Sequence, residues 1–246
     1  MSASHTGILC YILAFAGPMF FMSMQLSFLQ TASKIIEKKS DCKLSPLPFV
    51  SLSTNCAVMT MYAYLRSNAT IFVPNFSGLL VGIVCTLAYQ TFTEKTSKEI
   101  YLVSGLIIIL AIYFLLNNAT YSLGMIGVCL SVILMGSPLA TLRTVIEEKS
   151  TNSLPLATSI ATFFNALSWS LYGTIEVNDP IVYIPNLIGL LLASIQLLLF
   201  VIYGLPGETP EAPKYTVVYM TKTMEVDDNL KKSLISNEKK IIPSYV

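Results

Sequence analysis

Seven apolar stretches follow one another along this chain, at about residues 7–30, 46–65, 71–92, 100–116, 120–142, 154–175 and 181–204. Each holds roughly twenty residues, enough at a 1.5 Å rise to cross a ~30 Å hydrocarbon layer. Inside such a layer no water satisfies a peptide group, so each stretch must hydrogen-bond within itself as a helix. Only 12% of the residues are charged and 54% are apolar, where about a quarter would be charged in an ordinary soluble chain. The expected fold is therefore all-α and integral to a membrane. The first stretch lacks the basic leader and small-residue cleavage site of a signal peptide, so it is expected to remain as a helix.

Lysines and arginines set the direction of the crossings, because cytoplasmic loops retain them. Lys34, Lys38, Lys39 and Lys43 follow the first stretch, Lys95 and Lys98 the third, and Arg143 and Lys149 flank the connection after the fifth. Six more lysines lie beyond residue 205. Of the 15 basic residues only Arg66 falls on the opposite side, which predicts an N-terminus outside and a C-terminus in the cytosol. Two Asn-Ala-Thr sequons, at Asn68 and Asn118, fall in outer loops and make the chain a candidate glycoprotein.

An internal repeat organises the crossings. SFLQTASKIIEKKS, residues 27–40, aligns without a gap to SPLATLRTVIEEKS, residues 137–150, with seven identities in fourteen positions at an offset of 110. The same offset relates Asn55 to Asn165 and Tyr62 to Tyr172, and an offset of 111 relates Pro74, Asn75 and Gly78 to Pro185, Asn186 and Gly189. Each copy is three helices long, and three crossings invert the chain. The fourth stretch restores direction, giving two parallel three-helix bundles joined by an inverting linker helix, a 3+1+3 arrangement. The expected units are residues 7–92, the linker at 100–116, the second repeat at 120–204 and a flexible cytosolic tail at 205–246. A pore between two like halves explains such a duplication; a seven-helix receptor has no need of it.

The repeat, the blocks KIIEKKS and SPLATLRTVIEEKS, the stretch NALSWSLYG and the two PNxxG elements together resemble the SWEET family of sugar facilitators, over roughly residues 7–204. The resemblance implies a uniporter that carries mono- or disaccharides in both directions across a membrane by alternating access.

Helical rise converts sequence position into depth. Asn75 and Asn186 each lie about five residues into a helix entered from outside, ~8 Å below the outer edge, and Trp169 lies ~22 Å up from the inside end of the sixth helix. These levels coincide. Asn55 and Asn165 come nearer the midplane. An unsatisfied amide in hydrocarbon costs several kcal/mol, so these side chains face either a wet lumen or one another. Amides that donate and accept, with an aromatic face, suit the hydroxyls and apolar side of a sugar ring. The resemblance implies substrate-binding roles for Asn75 and Asn186 and a lumen position for Trp169; interhelical hydrogen bonding and packing are the structural alternatives. Asn165 is a candidate lumen residue, Asn55 is expected to pack, and Met59, symmetric to Trp169, is expected as a wall that shapes sugar size.

The family's outer gate pair matches Tyr62 and Asp179, and helix capping is the simpler reading of Asp179. Its inner hinge prolines match Pro48, Pro138 and Pro155, while Phe28 stands where the fourth would be. If bending there drives opening, a proline at position 28 is expected to be tolerated.

Catalytic chemistry finds no footing. His5, the single histidine, lies in the N-terminal segment, and no nucleophile–base pair, phosphate loop or zinc spacing occurs. The five cysteines read as free thiols. No enzyme and no cofactor is expected, and a net charge of +1 gives no reason to expect nucleic acid. The expected partners are a sugar substrate, the lipid bilayer, a second copy of the chain in a homo-oligomer and, through the terminal Ser244-Tyr245-Val246, a PDZ-type domain. The plasma membrane is the expected location, with an internal membrane such as the Golgi as the alternative.

Overall fold

A computed structural model describes residues 2–40, 44–93 and 98–205 of the chain, so the tail and Cys42 lie outside the described residues. Among the described residues every regular element is helical: α1 (Ser2–Lys38), α2 (Leu47–Leu65), α3 (Ala69–Phe92), α4 (Lys98–Leu116), α5 (Thr120–Leu134), α6 (Gly136–Glu148), α7 (Leu156–Leu171) and α8 (Pro180–Tyr203). A π-helical turn, Tyr172–Glu176, extends α7. Helices α5 and α6 form one crossing interrupted at Met135, so the chain crosses seven times.

Five of the crossings are long and apolar enough to span a membrane by length and composition alone. The exceptions, α2 and α7, carry Ser51, Ser53, Thr54, Asn55 and Thr60, and Thr158, Ser159, Thr162, Asn165 and Ser168. Polar side chains lower the hydropathy of α2, and α7 falls short by length, at 16 residues before its π-helical turn.

Helix contacts close a ring in the order α1, α3, α2, α5, α8, α7 and back to α1. Each repeat thus places its third helix between its first and second, and the halves meet twice, where α2 touches α5 and where α7 touches α1. Helix α4 stands outside this ring against α2 and α5. One face of it is exposed, as expected of a lipid-facing linker, while Ile107, Phe114 and Leu115 pack against the bundle and Ala111 is its buried residue. The architecture is two three-helix units joined by a linker helix in a multi-pass membrane protein.

Small residues allow the first repeat to pack tightly. A Cβ on Gly82 would lie 2.7 Å from the Ser53 backbone nitrogen, and one on Gly78 would lie 2.6 Å from Cys56 Sγ, so α3 meets α2 through a Gly-x-x-x-Gly face. Gln25 on α1, almost fully buried, donates to the Pro74 carbonyl at 3.0 Å and accepts from Ser77 Oγ at 2.9 Å, joining α1 to α3.

The two repeats differ at the first helix of each. Pro138 has no N–H for the Leu134 carbonyl and its ring crowds the preceding turn, which accounts for the interruption between α5 and α6. At the matching position Phe28 keeps its N–H, and α1 runs through without a break. A second difference explains the slip in repeat offset from 110 to 111. The π-helical turn holds one extra residue between Tyr172 and Pro185, absorbed inside the helix end.

Candidate functional site

The ring encloses a cavity of about 380 Å³, within the usual range for a small-molecule site. All six ring helices line it. Asn55 and Met59 come from α2, Asn75 from α3, Ser131 from α5, Pro138 from α6, Asn165 and Trp169 from α7, and Asn186 from α8. The structure therefore brings Asn75, Asn186, Trp169, Met59 and Asn165 to one space, and adds Asn55, which was expected to pack elsewhere. The amide of Asn55 lies 3.5 Å from Ser131 Oγ.

The two matched asparagines share one local geometry. Asn75 Nδ2 donates to the Ile71 carbonyl at 2.8 Å and Asn186 Nδ2 to the Val182 carbonyl at 2.7 Å, each one helical turn back. That bond fixes the amide plane and leaves the carbonyl oxygen and one N–H for the cavity. Asn165 Oδ1 is buried and has no partner among the described residues. A buried amide oxygen left unpaired costs about 1–3 kcal/mol.

Trp169 is held from two sides. A Cβ on Gly17 would approach its ring to 3.1 Å, so α1 comes this close only because it carries glycine there. Tyr172 packs edge-on to the indole with ring centres 5.7 Å apart. Met59 Sδ sits where a Cβ on Gly127 would lie only 2.5 Å away, which seats it against α5.

One end of the cavity is closed by two pairs that cross between the repeats. The Tyr62 hydroxyl donates to Asp179 Oδ2. Asp179 is 5% exposed, accepts from the Ile181 N–H at 3.0 Å as the N-cap of α8, and has Arg66 Nε at 3.5 Å. Capping and the interhelical bond are thus both made by one carboxylate. In the reciprocal pair, Tyr172 Oη lies 3.1 Å from Asn68 Nδ2 and 3.3 Å from Oδ1, and Asn68 caps α3 by accepting from the Ile71 N–H. Each repeat therefore sends a tyrosine to the N-cap of the other repeat's third helix. Tyr172, Asn68 and Arg66 are not expected at this closure from the sequence, where Asn68 reads as a sequon and Arg66 as the outer basic residue, although the offset pairing Tyr62 with Tyr172 carries the signal for the first. Asn68 Nδ2 is the atom that N-linked glycosylation would use, and here it is engaged with Tyr172.

The residues matched to hinges spread along the opposite end. Pro138 lines the cavity itself. Pro155 is the N-cap residue of α7 and Pro48 sits in the first turn of α2, positions that suit proline because no helical N–H is lost there. Phe28 does not reach the cavity. Its ring packs edge-on against Phe49, with centres 6.3 Å apart, and Phe49 in turn meets Tyr89. Among the described residues no three His, Cys, Asp or Glu side chains gather closely enough to hold a metal ion.

Known proteins resemble this chain in sequence and in fold. A family model described as "Sugar efflux transporter for intercellular exchange" matches residues 11–97 and 121–206, one segment per repeat. The sugar transporter SWEET1 of Drosophila pseudoobscura pseudoobscura is 32% identical over 187 residues, covering 72% of this chain and 82% of that protein. The bidirectional sugar transporter SWEET7 of Arabidopsis thaliana is 28% identical over 218 residues, 82% of this chain and 84% of that protein. The fold matches a eukaryotic SWEET transporter solved at 3.7 Å with a TM-score of 0.68 and 22% identity, over 80% of this chain and 98% of that one. With both repeats matched and a relative above 30% identity along most of its length, the chain belongs to the SWEET family of sugar efflux transporters.

Proposed function

We propose that this chain is a bidirectional uniporter for mono- or disaccharides that works by alternating access. The observation that carries the reading is the cavity between the repeats, lined by asparagines from both halves beside a tryptophan and closed at one end by paired tyrosine contacts. Asn75, Asn186 and Asn165 supply polar atoms for sugar hydroxyls, and Trp169 and Met59 bound the space. Tyr62 and Asp179 form the outer gate. Pro138 is the hinge of the inner gate, and Pro48, Pro155 and Phe28 shape the mouth around it.

The cavity walls are amides, hydroxyls, thioethers, aromatics and aliphatics. None of these changes charge at neutral pH, so sugar movement has no side chain in the cavity to tie it to a proton or sodium gradient. The working units are residues 7–92, 100–116 and 120–204, with the tail at 205–246 in the cytosol. The lysine asymmetry supports an N-terminus outside, which puts the Tyr62–Asp179 gate at the outer face. The plasma membrane suits this orientation, and a homo-oligomer and a PDZ-type partner at the C-terminus complete the proposed set of partners.

Purified protein in liposomes should equilibrate a radiolabelled sugar chosen from a panel of hexoses and sucrose. The internal concentration should reach the external one and stop there, with or without an imposed ion gradient. Accumulation above the external level, driven by either gradient, would refute uniport.

A further inference from the structure

At the end of the bundle opposite the Tyr62–Asp179 pair each repeat has its own chamber, and the two are not alike. The second repeat holds one of about 340 Å³ between α6, α7 and α8, and it shares Met135, Pro138 and Thr162 with the walls of the central cavity. The first repeat holds one of about 210 Å³, which shares no lining residue with that cavity.

The repeat offsets show what fills the difference. Phe28 pairs with Pro138 and Phe49 with Ser159 at 110, and Cys85 pairs with Gln196 at 111. In the first repeat the Phe28 and Phe49 rings pack together, and the buried Cys85 donates from Sγ to the Phe28 carbonyl at 3.4 Å. In the second repeat the same three places hold a shorter ring, a hydroxyl and an amide. Gln196 is 7% exposed and its side chain has no hydrogen-bond partner among the described residues, although it lines the chamber. Thr158 and Thr162 line the same wall. A nearly enclosed amide without a partner beside hydroxyls is a place for water or for a polyol.

We propose that the aqueous path from the central cavity to this end of the bundle is one-sided: it runs through the second-repeat chamber, where Gln196 and the neighbouring hydroxyls form a second, transient subsite for sugar hydroxyls, while aromatic packing seals the equivalent route in the first repeat. The sugar ligand rests on the function proposed above; the asymmetry of the path does not.

Two exposed positions test it without threatening the fold. Thr158→Trp fills the second-repeat chamber and Leu44→Trp fills the first. In liposomes, Thr158→Trp should slow tracer sugar exchange at least tenfold and Leu44→Trp by less than twofold, with both proteins monodisperse. Gln196→Leu should slow exchange about threefold or more while equilibrium sugar binding stays within twofold. Equal slowing by both tryptophans, or slowing by Leu44→Trp alone, would overturn the one-sided path, and unchanged exchange in Gln196→Leu would remove the subsite. A sugar-independent arm separates this from the functional reading. With Cys10, Cys42 and Cys129 replaced by serine, Thr162→Cys should react with a water-soluble thiol reagent at least tenfold faster than its repeat mate, Leu52→Cys. If the unaltered chain moves no sugar, the transport reading fails, and the two thiol rates still decide the path: a ratio near one overturns it.

Discussion

Tyr62→Phe removes one hydroxyl and leaves the ring in place, so it isolates the bond that closes the outer end. That hydroxyl donates to a carboxylate buried to 5% exposure. A hydrogen bond to a charged group contributes about 1.5–3 kcal/mol, or roughly 10- to 150-fold in an equilibrium. Asp179 keeps the Ile181 N–H at 3.0 Å and Arg66 at 3.5 Å, and Arg66 is 44% exposed, so solvent weakens its compensation. The expected shift towards an open outer end is therefore about tenfold. The reciprocal Tyr172→Phe breaks a neutral contact, worth about 0.5–1.5 kcal/mol or roughly 2- to 13-fold, and should shift the balance less. A cysteine at position 55, on the cavity wall, reports the opening through its reaction with an impermeant thiol reagent applied from the Tyr62 side. A rate for Tyr62→Phe no greater than that of the unaltered gate, or smaller than that of Tyr172→Phe, would show that the carboxylate pair does not hold the outer end shut.

Asn75→Ala and Asn186→Ala should each weaken sugar binding about 5- to 150-fold, since a desolvated hydroxyl loses a partner worth about 1–3 kcal/mol; equilibrium binding to purified protein measures this. Pro138→Ala restores an N–H for the Leu134 carbonyl, and it should slow exchange at unchanged abundance. Phe28→Pro, which the sequence alone suggested would be tolerated, should instead lower the thermal midpoint, because it costs α1 a helical bond and the Phe49 ring its partner. Gly82→Val should also lower that midpoint, because its Cβ would meet the Ser53 backbone and overpacking of this kind costs typically about 1–3 kcal/mol. Removing the Asn118 sequon should abolish any glycan-dependent mobility shift, with Asn68 contributing none while Tyr172 engages it.

Much of the arrangement was legible because a membrane makes hydrophobic length a strict signal and a repeat makes symmetry a second one. Depth along a helix placed Asn75, Asn186 and Trp169 at one level, and the cavity collects them. The slip from 110 to 111 was visible as arithmetic, but its cause, a residue absorbed in a π-helical turn, needed coordinates. Azimuth was the harder quantity. Nothing in the spacing around Asn55 distinguished a packed face from a lumen face, since α2 is polar over several turns and flanked by neighbours on most sides. Cross-repeat pairing was hidden for a related reason: Tyr172 reaches Asn68 across 104 positions, and each residue alone reads as an interfacial aromatic or a helix cap. The interruption at Met135 follows from Pro138, yet three other prolines within helices, Pro18, Pro74 and Pro185, leave their helices continuous.

The shared geometry of Asn75 and Asn186 also sets what the central space can recognise. Each amide spends one N–H on its own helix and keeps both lone pairs of its carbonyl oxygen. The cavity is therefore richer in lone pairs than in protons to give away. A solute that brings O–H groups completes it, whereas one whose oxygens are capped as methyl ethers has the same outline and nothing to offer those lone pairs. Discrimination here follows the direction of hydrogen bonding as much as molecular size. A fully O-methylated glucoside should leave the exchange of free sugar uninhibited at concentrations where the corresponding unmethylated glucoside competes.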